Sequence, residues 1–136
     1  MFSKVLLNAT AAFLCLLGLV LDFLPQETGA LLQLPSAPAV AVLIQAIAAA
    51  YLAAGYLNWL SRKNLIGGIY SRPLGLANML LFGVTAIPLD RAVMRGLLPT
   101  ALPLAVDGLA ALFTVFAVAY VYAIFFHDPV PAASQL

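Results

Sequence analysis

The chain has 136 residues, 65% of them apolar and only 8% charged, with a formal net charge of +1. A soluble domain carries roughly a quarter charged residues, and one of this length could not bury so much apolar surface; a helical bundle in lipid satisfies its own backbone and exposes apolar side chains freely. Six Lys and Arg residues, dispersed along the chain, form no phosphate-tracking groove, which excludes nucleic acid and leaves the lipid bilayer as the expected partner. The single cysteine, Cys15, excludes an intramolecular disulfide or a thiolate metal cluster, and no cofactor is expected.

The first span covers about residues 4–24, a length that crosses the hydrocarbon core at 1.5 Å per residue. Leu21-Asp22-Phe23-Leu24-Pro25 follows it in place of the small residues of a signal-cleavage site, so the span is read as retained. Pro25 to Pro38 carries loop residues interrupted by Leu31, Leu32 and Leu34, which suit the bilayer surface. The second span, 38–60, is rich in alanine, and Ala46, Ala50 and Ala54 repeat at every fourth position. That small-residue pattern lets two membrane helices approach closely, and it predicts a central helix.

A polar stretch from Asn58 to Pro73 follows, with Gly67-Gly68 suited to a tight turn. The third span, 73–89, opens on Pro73, where a missing N–H costs nothing. Asp90, Arg91 and Arg95 form the next turn, and Pro99 and Pro103 lead into a fourth span, 101–126. These spans define an all-α fold, a single integral membrane four-helix bundle. Lys4, Arg62, Lys63 and Arg72 lie on one side against Arg91 and Arg95 on the other, which predicts both termini in the cytoplasm. Trp59, Tyr70, Tyr120 and Tyr122 then fall near that interface as ring anchors.

Polar residues within spans turn towards the bundle or a wet cavity, because hydrocarbon offers them no partner. On the first span Asn8, Cys15 and Asp22 recur at seven-residue intervals; on the third, Gly75, Asn78 and Thr85 align. Depth places Asn8, Asn58 and Asn78, with Tyr120 or Tyr122, in a layer near the cytoplasmic face, and Gln45 and Asp107 in a layer near the other. The Asn layer suits either interhelical hydrogen bonds or ligand contact. Asp107 suits either a proton or cation site or a carboxylate in the first helical turn, favoured by the helix dipole. Arg62, Lys63 and Arg72 suit lipid phosphates. His127 has only Asp128 beside it, so no metal site is expected.

Gln45 with Asn58-Trp59, then Gly67-Gly68-Ile69-Tyr70-Ser71-Arg72-Pro73-Leu74 and Asn78, resembles a group of small uncharacterised bacterial four-span membrane proteins. In overall plan the chain also looks like the DoxX-like small membrane proteins. The resemblance implies a bacterial inner membrane and carries no activity with it. The expected function is a non-enzymatic binding or accessory role, with Asn8, Gln45, Asn58, Trp59, Asn78, Asp107 and Tyr120 around a site for a lipid, small amphiphile or membrane protein partner. The alternative is an oligomeric channel or proton-linked transporter built on Asp107, with a membrane enzyme third, since no nucleophile or metal set stands out.

Overall fold

A computed structural model describes residues 2–63, 72–97 and 103–127. The expected Gly67-Gly68 turn, the Tyr70 anchor, Pro99 and the tail beyond His127 lie outside these residues. Helix α1 runs Phe2–Phe23, α2 Pro25–Leu31, α3 Pro38–Leu60, α4 Arg72–Met94 and α5 Pro103–Tyr122. A π-helical turn, Ala123–His127, continues α5. Four of these helices are long and apolar enough to cross a membrane, and no strand occurs among the described residues.

Helix ends follow local chemistry. Pro25, Pro38 and Pro103 each open a helix, at the position where proline's absent N–H goes unmissed. At the end of α4, Gly96 takes φ +60°, and the N–H groups of Gly96 and Leu97 reach back to the carbonyls of Val93 and Ala92 at 3.1 and 2.9 Å. This is a left-handed glycine cap. Gln33 makes the same turn after α2 with φ 53°, although its Cβ makes that conformation costly. The expected loop between the first two spans thus contains a short helix, started by Pro25 and stopped at Gln33.

The third long helix also exceeds its expected end at Leu89, running through Pro88 to Met94. Proline inside a membrane helix is tolerated where neighbouring groups compensate the broken ladder, and Asp90 accepts a hydrogen bond from Thr114 Oγ1 of α5 at 2.6 Å, tying the extra turns down.

The bundle consists of two antiparallel hairpins, α1 with α3 and α4 with α5, whose backbones approach most closely. The α1–α3 seam depends on two glycines. A Cβ on Gly55 would stand 2.7 Å from Cys15 Sγ, 3.0 Å from Cys15 N and 3.1 Å from the Ala11 carbonyl oxygen, and one on Gly18 would stand 2.7 Å from Leu52 Cγ and 3.0 Å from the Ala48 oxygen. The Ala46–Ala50–Ala54 face does not form this seam: Ala46 and Ala50 are exposed and Ala54 is half-buried. Ala48 and Gly55 occupy it, because glycine allows the backbone approach that alanine restricts.

Between the hairpins lies an aromatic layer. Phe13 of α1 meets Phe113 and Phe116 of α5 at 5.4 and 5.3 Å between ring centroids, and Phe82 of α4 meets the same two rings at 5.5 and 5.1 Å. These tilted and edge-on contacts favour the ring quadrupoles and separate the two ends of the bundle, which differ in chemistry.

Candidate functional site

At the end formed by the start of α1 and the end of α5, each long helix contributes one polar side chain to a single cluster. Asn58 of α3 and Asn78 of α4 form a reciprocal amide pair: Asn58 Nδ2 donates to Asn78 Oδ1 at 3.0 Å, and Asn78 Nδ2 donates to Asn58 Oδ1 at 2.7 Å. The second hydrogen of Asn58 Nδ2 goes to Thr10 Oγ1 of α1 at 3.1 Å, and that of Asn78 Nδ2 to the Leu74 carbonyl at 3.0 Å. Thr10 Oγ1 lies 2.9 Å from both the Leu6 carbonyl and Tyr120 Oη of α5.

A consistent set of protons follows from donor capacity. Thr10 donates to the Leu6 carbonyl, so its two lone pairs accept from Asn58 and from Tyr120. Every amide N–H and every hydroxyl hydrogen in the cluster is then used. Thr10, Asn58 and Tyr120 have no exposed surface, and Asn78 is 3% exposed. The cluster is closed to ligands and joins the hairpins twice, through Asn58–Asn78 and Thr10–Tyr120.

Three of the expected residues, Asn58, Asn78 and Tyr120, meet here. Asn8 does not. It sits half-buried with Oδ1 enclosed and without a hydrogen-bond partner, while Thr10 takes the place expected of it. Two residues along a helix correspond to about 200° of rotation, so the stripe Asn8–Cys15–Asp22 turns away from the face that holds Ser3, Leu7, Thr10 and Leu14. A buried threonine at four-residue spacing from Leu6 and Leu14 was the available signal, and its small hydroxyl hid it among apolar neighbours.

The remaining expected residues are dispersed. Trp59 is 50% exposed, and the Arg62 guanidinium lies over its ring at 3.8 Å while donating to the Trp59 carbonyl at 3.0 Å. Lys63 and Arg72 are exposed nearby in sequence. Gln45 is exposed and donates from Nε2 to the Asp22 main-chain oxygen at 3.3 Å. Asp107 is exposed one residue past the first turn of α5. The carboxylate turned into the bundle is Asp90, half-buried against Thr114. No group of three metal-ligating side chains occurs among the described residues.

At the opposite end the hairpins part around a cleft of about 770 Å³. Its walls are apolar, with Leu17 and Leu21 of α1, Ile44 and Ile47 of α3, and Leu89 and Leu109 of the second hairpin, and α2 forms part of its rim through Thr28, Leu31 and Leu32. Among the described residues no charged side chain lines it. Among the described lining residues the polar ones besides Thr28 are Tyr51 of α3 and Thr85 of α4, one from each hairpin. Sequence reasoning missed this space because a gap between helices leaves no periodic mark on either.

In comparison with known proteins, the chain matches no family model, no curated protein and no solved structure. Helix length, hydropathy and packing define it as a small multi-pass membrane protein with an all-α bundle fold.

Proposed function

We propose that this is a non-enzymatic membrane protein that binds the apolar part of a lipid or small amphiphile in the cleft between its two hairpins. The observation that carries the reading is the cleft itself. At about 770 Å³ it lies within the roughly 300–1,000 Å³ of small-molecule sites, which combine apolar walls with a few convergent polar groups. The Asn58–Asn78–Thr10–Tyr120 cluster has no donor left for a ligand, so its part is to hold the hairpins together at the far end.

The clamp end faces the cytoplasm of a bacterial inner membrane in this reading, since Lys4, Arg62, Lys63 and Arg72 outnumber Arg91 and Arg95. There Arg62, Lys63 and Arg72 hold phosphates of anionic bilayer lipids, each contributing about 1 kcal/mol. The cleft opens towards the other leaflet.

Native mass spectrometry of the protein released from membranes tests the proposal. A bound species of lipid mass is expected on the wild-type chain and is lost in Ala92→Phe, which places a ring in the cleft from a helix that stays folded. Bare protein in both, after reconstitution with total membrane lipid, would remove the binding role.

A further inference from the structure

The cleft also selects what its occupant carries at the buried end. Tyr51 and Thr85 each fall near the middle of a 23-residue helix, roughly 15 Å from either end at 1.5 Å per residue. Both line the cleft and both are half-buried. Their two hydroxyls offer two donors and four lone pairs. Capacity for a further partner remains on a surface that is otherwise apolar. Phe113 completes the surroundings of this pair, its ring 6.0 Å from that of Tyr51.

An ionised head group has nothing to neutralise it there. Among the described residues the lining contains no Lys, Arg, His, Asp or Glu, and a charge at the bilayer centre is strongly unfavourable unless paired or hydrated. A purely apolar chain would fill the cleft but leave the spare hydroxyl capacity unused, which is costly in a low-dielectric site. Resting on the binding reading above, we infer that the cleft takes an uncharged long-chain lipid whose hydroxyl end hydrogen-bonds the Tyr51–Thr85 pair at mid-membrane. The molecule lies with this end deepest and its chain directed along the Leu21, Ile47 and Leu109 walls towards the α2 rim. A phospholipid, whose charged head stays at the interface, cannot make this contact.

Three probes with one chain length separate the possibilities: hexadecanol, hexadecane and hexadecyl phosphate, each doped at the same mole fraction into phosphatidylcholine nanodiscs that hold the full chain. Occupancy is read by native mass spectrometry. Hexadecanol is expected to bind about threefold to tenfold more tightly than either of the others, the span of one net hydrogen bond. Tyr51→Phe and Thr85→Val are each expected to lower hexadecanol to the level of hexadecane while leaving hexadecane occupancy unchanged. Equal binding of hexadecane and hexadecanol, a preference for hexadecyl phosphate, or a hexadecanol preference that survives both variants overturns the inference and leaves chain binding standing. Absence of all three from the wild-type protein overturns both.

Discussion

Asn58→Ala removes three side-chain hydrogen bonds at once: two to Asn78 and one to Thr10. Interhelical hydrogen bonds in membranes contribute about 0.6 kcal/mol each, which gives about 2 kcal/mol. The space left by a fully buried side chain brings the expected loss to about 2–3 kcal/mol. Asn78→Leu is expected to cost a similar amount, because it strands one hydrogen and the oxygen of a buried Asn58 amide. The double variant Asn58→Leu with Asn78→Leu removes both partners and leaves no orphaned amide, so it should be more stable than the sum of its singles by about 1–2 kcal/mol. Equilibrium unfolding in mixed micelles, followed by far-ultraviolet circular dichroism, supplies all the free energies. Singles that cost less than about 0.5 kcal/mol, or a double variant additive within that margin, would refute the clamp.

Gly55→Ala should destabilise by about 1–3 kcal/mol, since its new methyl meets backbone atoms of Ala11 and Cys15 that cannot step aside; Gly83→Ala, with nothing within 4 Å of the added carbon, should stabilise by about 0.5–1 kcal/mol in the same micelle assay. Tyr120→Phe should cost about 1 kcal/mol or less, because the ring keeps its stacking on Phe82 at 5.8 Å and loses only the bond to Thr10. Thr114→Val should cost roughly 1–2 kcal/mol by leaving the Asp90 carboxylate half-buried without its donor. Electron-electron distance measurements on a Cys15→Ala background should give a broad distribution for spin labels at Phe23→Cys and Leu104→Cys, which span the cleft end, and a narrow one for Leu60→Cys and Val121→Cys at the clamp end; equal widths would contradict a one-ended clamp.

Length and hydropathy were enough to place four membrane helices, because about 20 apolar residues admit few other structures in lipid. Depth counting from helix ends was enough to bring Asn58, Asn78 and Tyr120 to one level, since antiparallel spans put those positions at the same end. Rotation was not recoverable in the same way. A soluble helix marks its buried face with apolar residues, but α3 is apolar all round, so Ala46, Ala50 and Ala54 had the same sequence credentials as Ala48 and Gly55. Asn8 stays outside the cluster for the related reason that heptad spacing among polar residues does not say which stripe faces the neighbour. Asp107 drew attention by being alone in its span, whereas Asp90 looked like the polar turn after Pro88; only the passage of α4 through that proline turns Asp90 towards Thr114. The cleft is a property of two hairpins together, and no single segment encodes it.

The two ends of the bundle differ because lipid removes the usual reason for helices to adhere. Hydrocarbon tails are as apolar as leucine, so side chains such as Leu17, Leu21, Leu89 and Leu109 gain little by leaving lipid for one another. What holds membrane helices together is close backbone approach and directional hydrogen bonding. Within each hairpin the backbone contacts supply this, at Gly18 and Gly55 for α1 and α3. Between hairpins hydrogen bonds supply it at the clamp end, two in the Asn58–Asn78 pair and one between Thr10 and Tyr120. Tyr51 and Thr85 stand near the middle of their helices on the cleft surface. Beyond them towards α2 the described residues that line the cleft are apolar apart from Thr28, and a lipid chain can replace such contacts at almost no cost. On the proposed reading, an occupant that hydrogen-bonds Tyr51 and Thr85 replaces these apolar contacts, so its binding is coupled to the separation of the hairpins at that end. The closed Asn cluster would then hold the bundle together while that end takes its occupant.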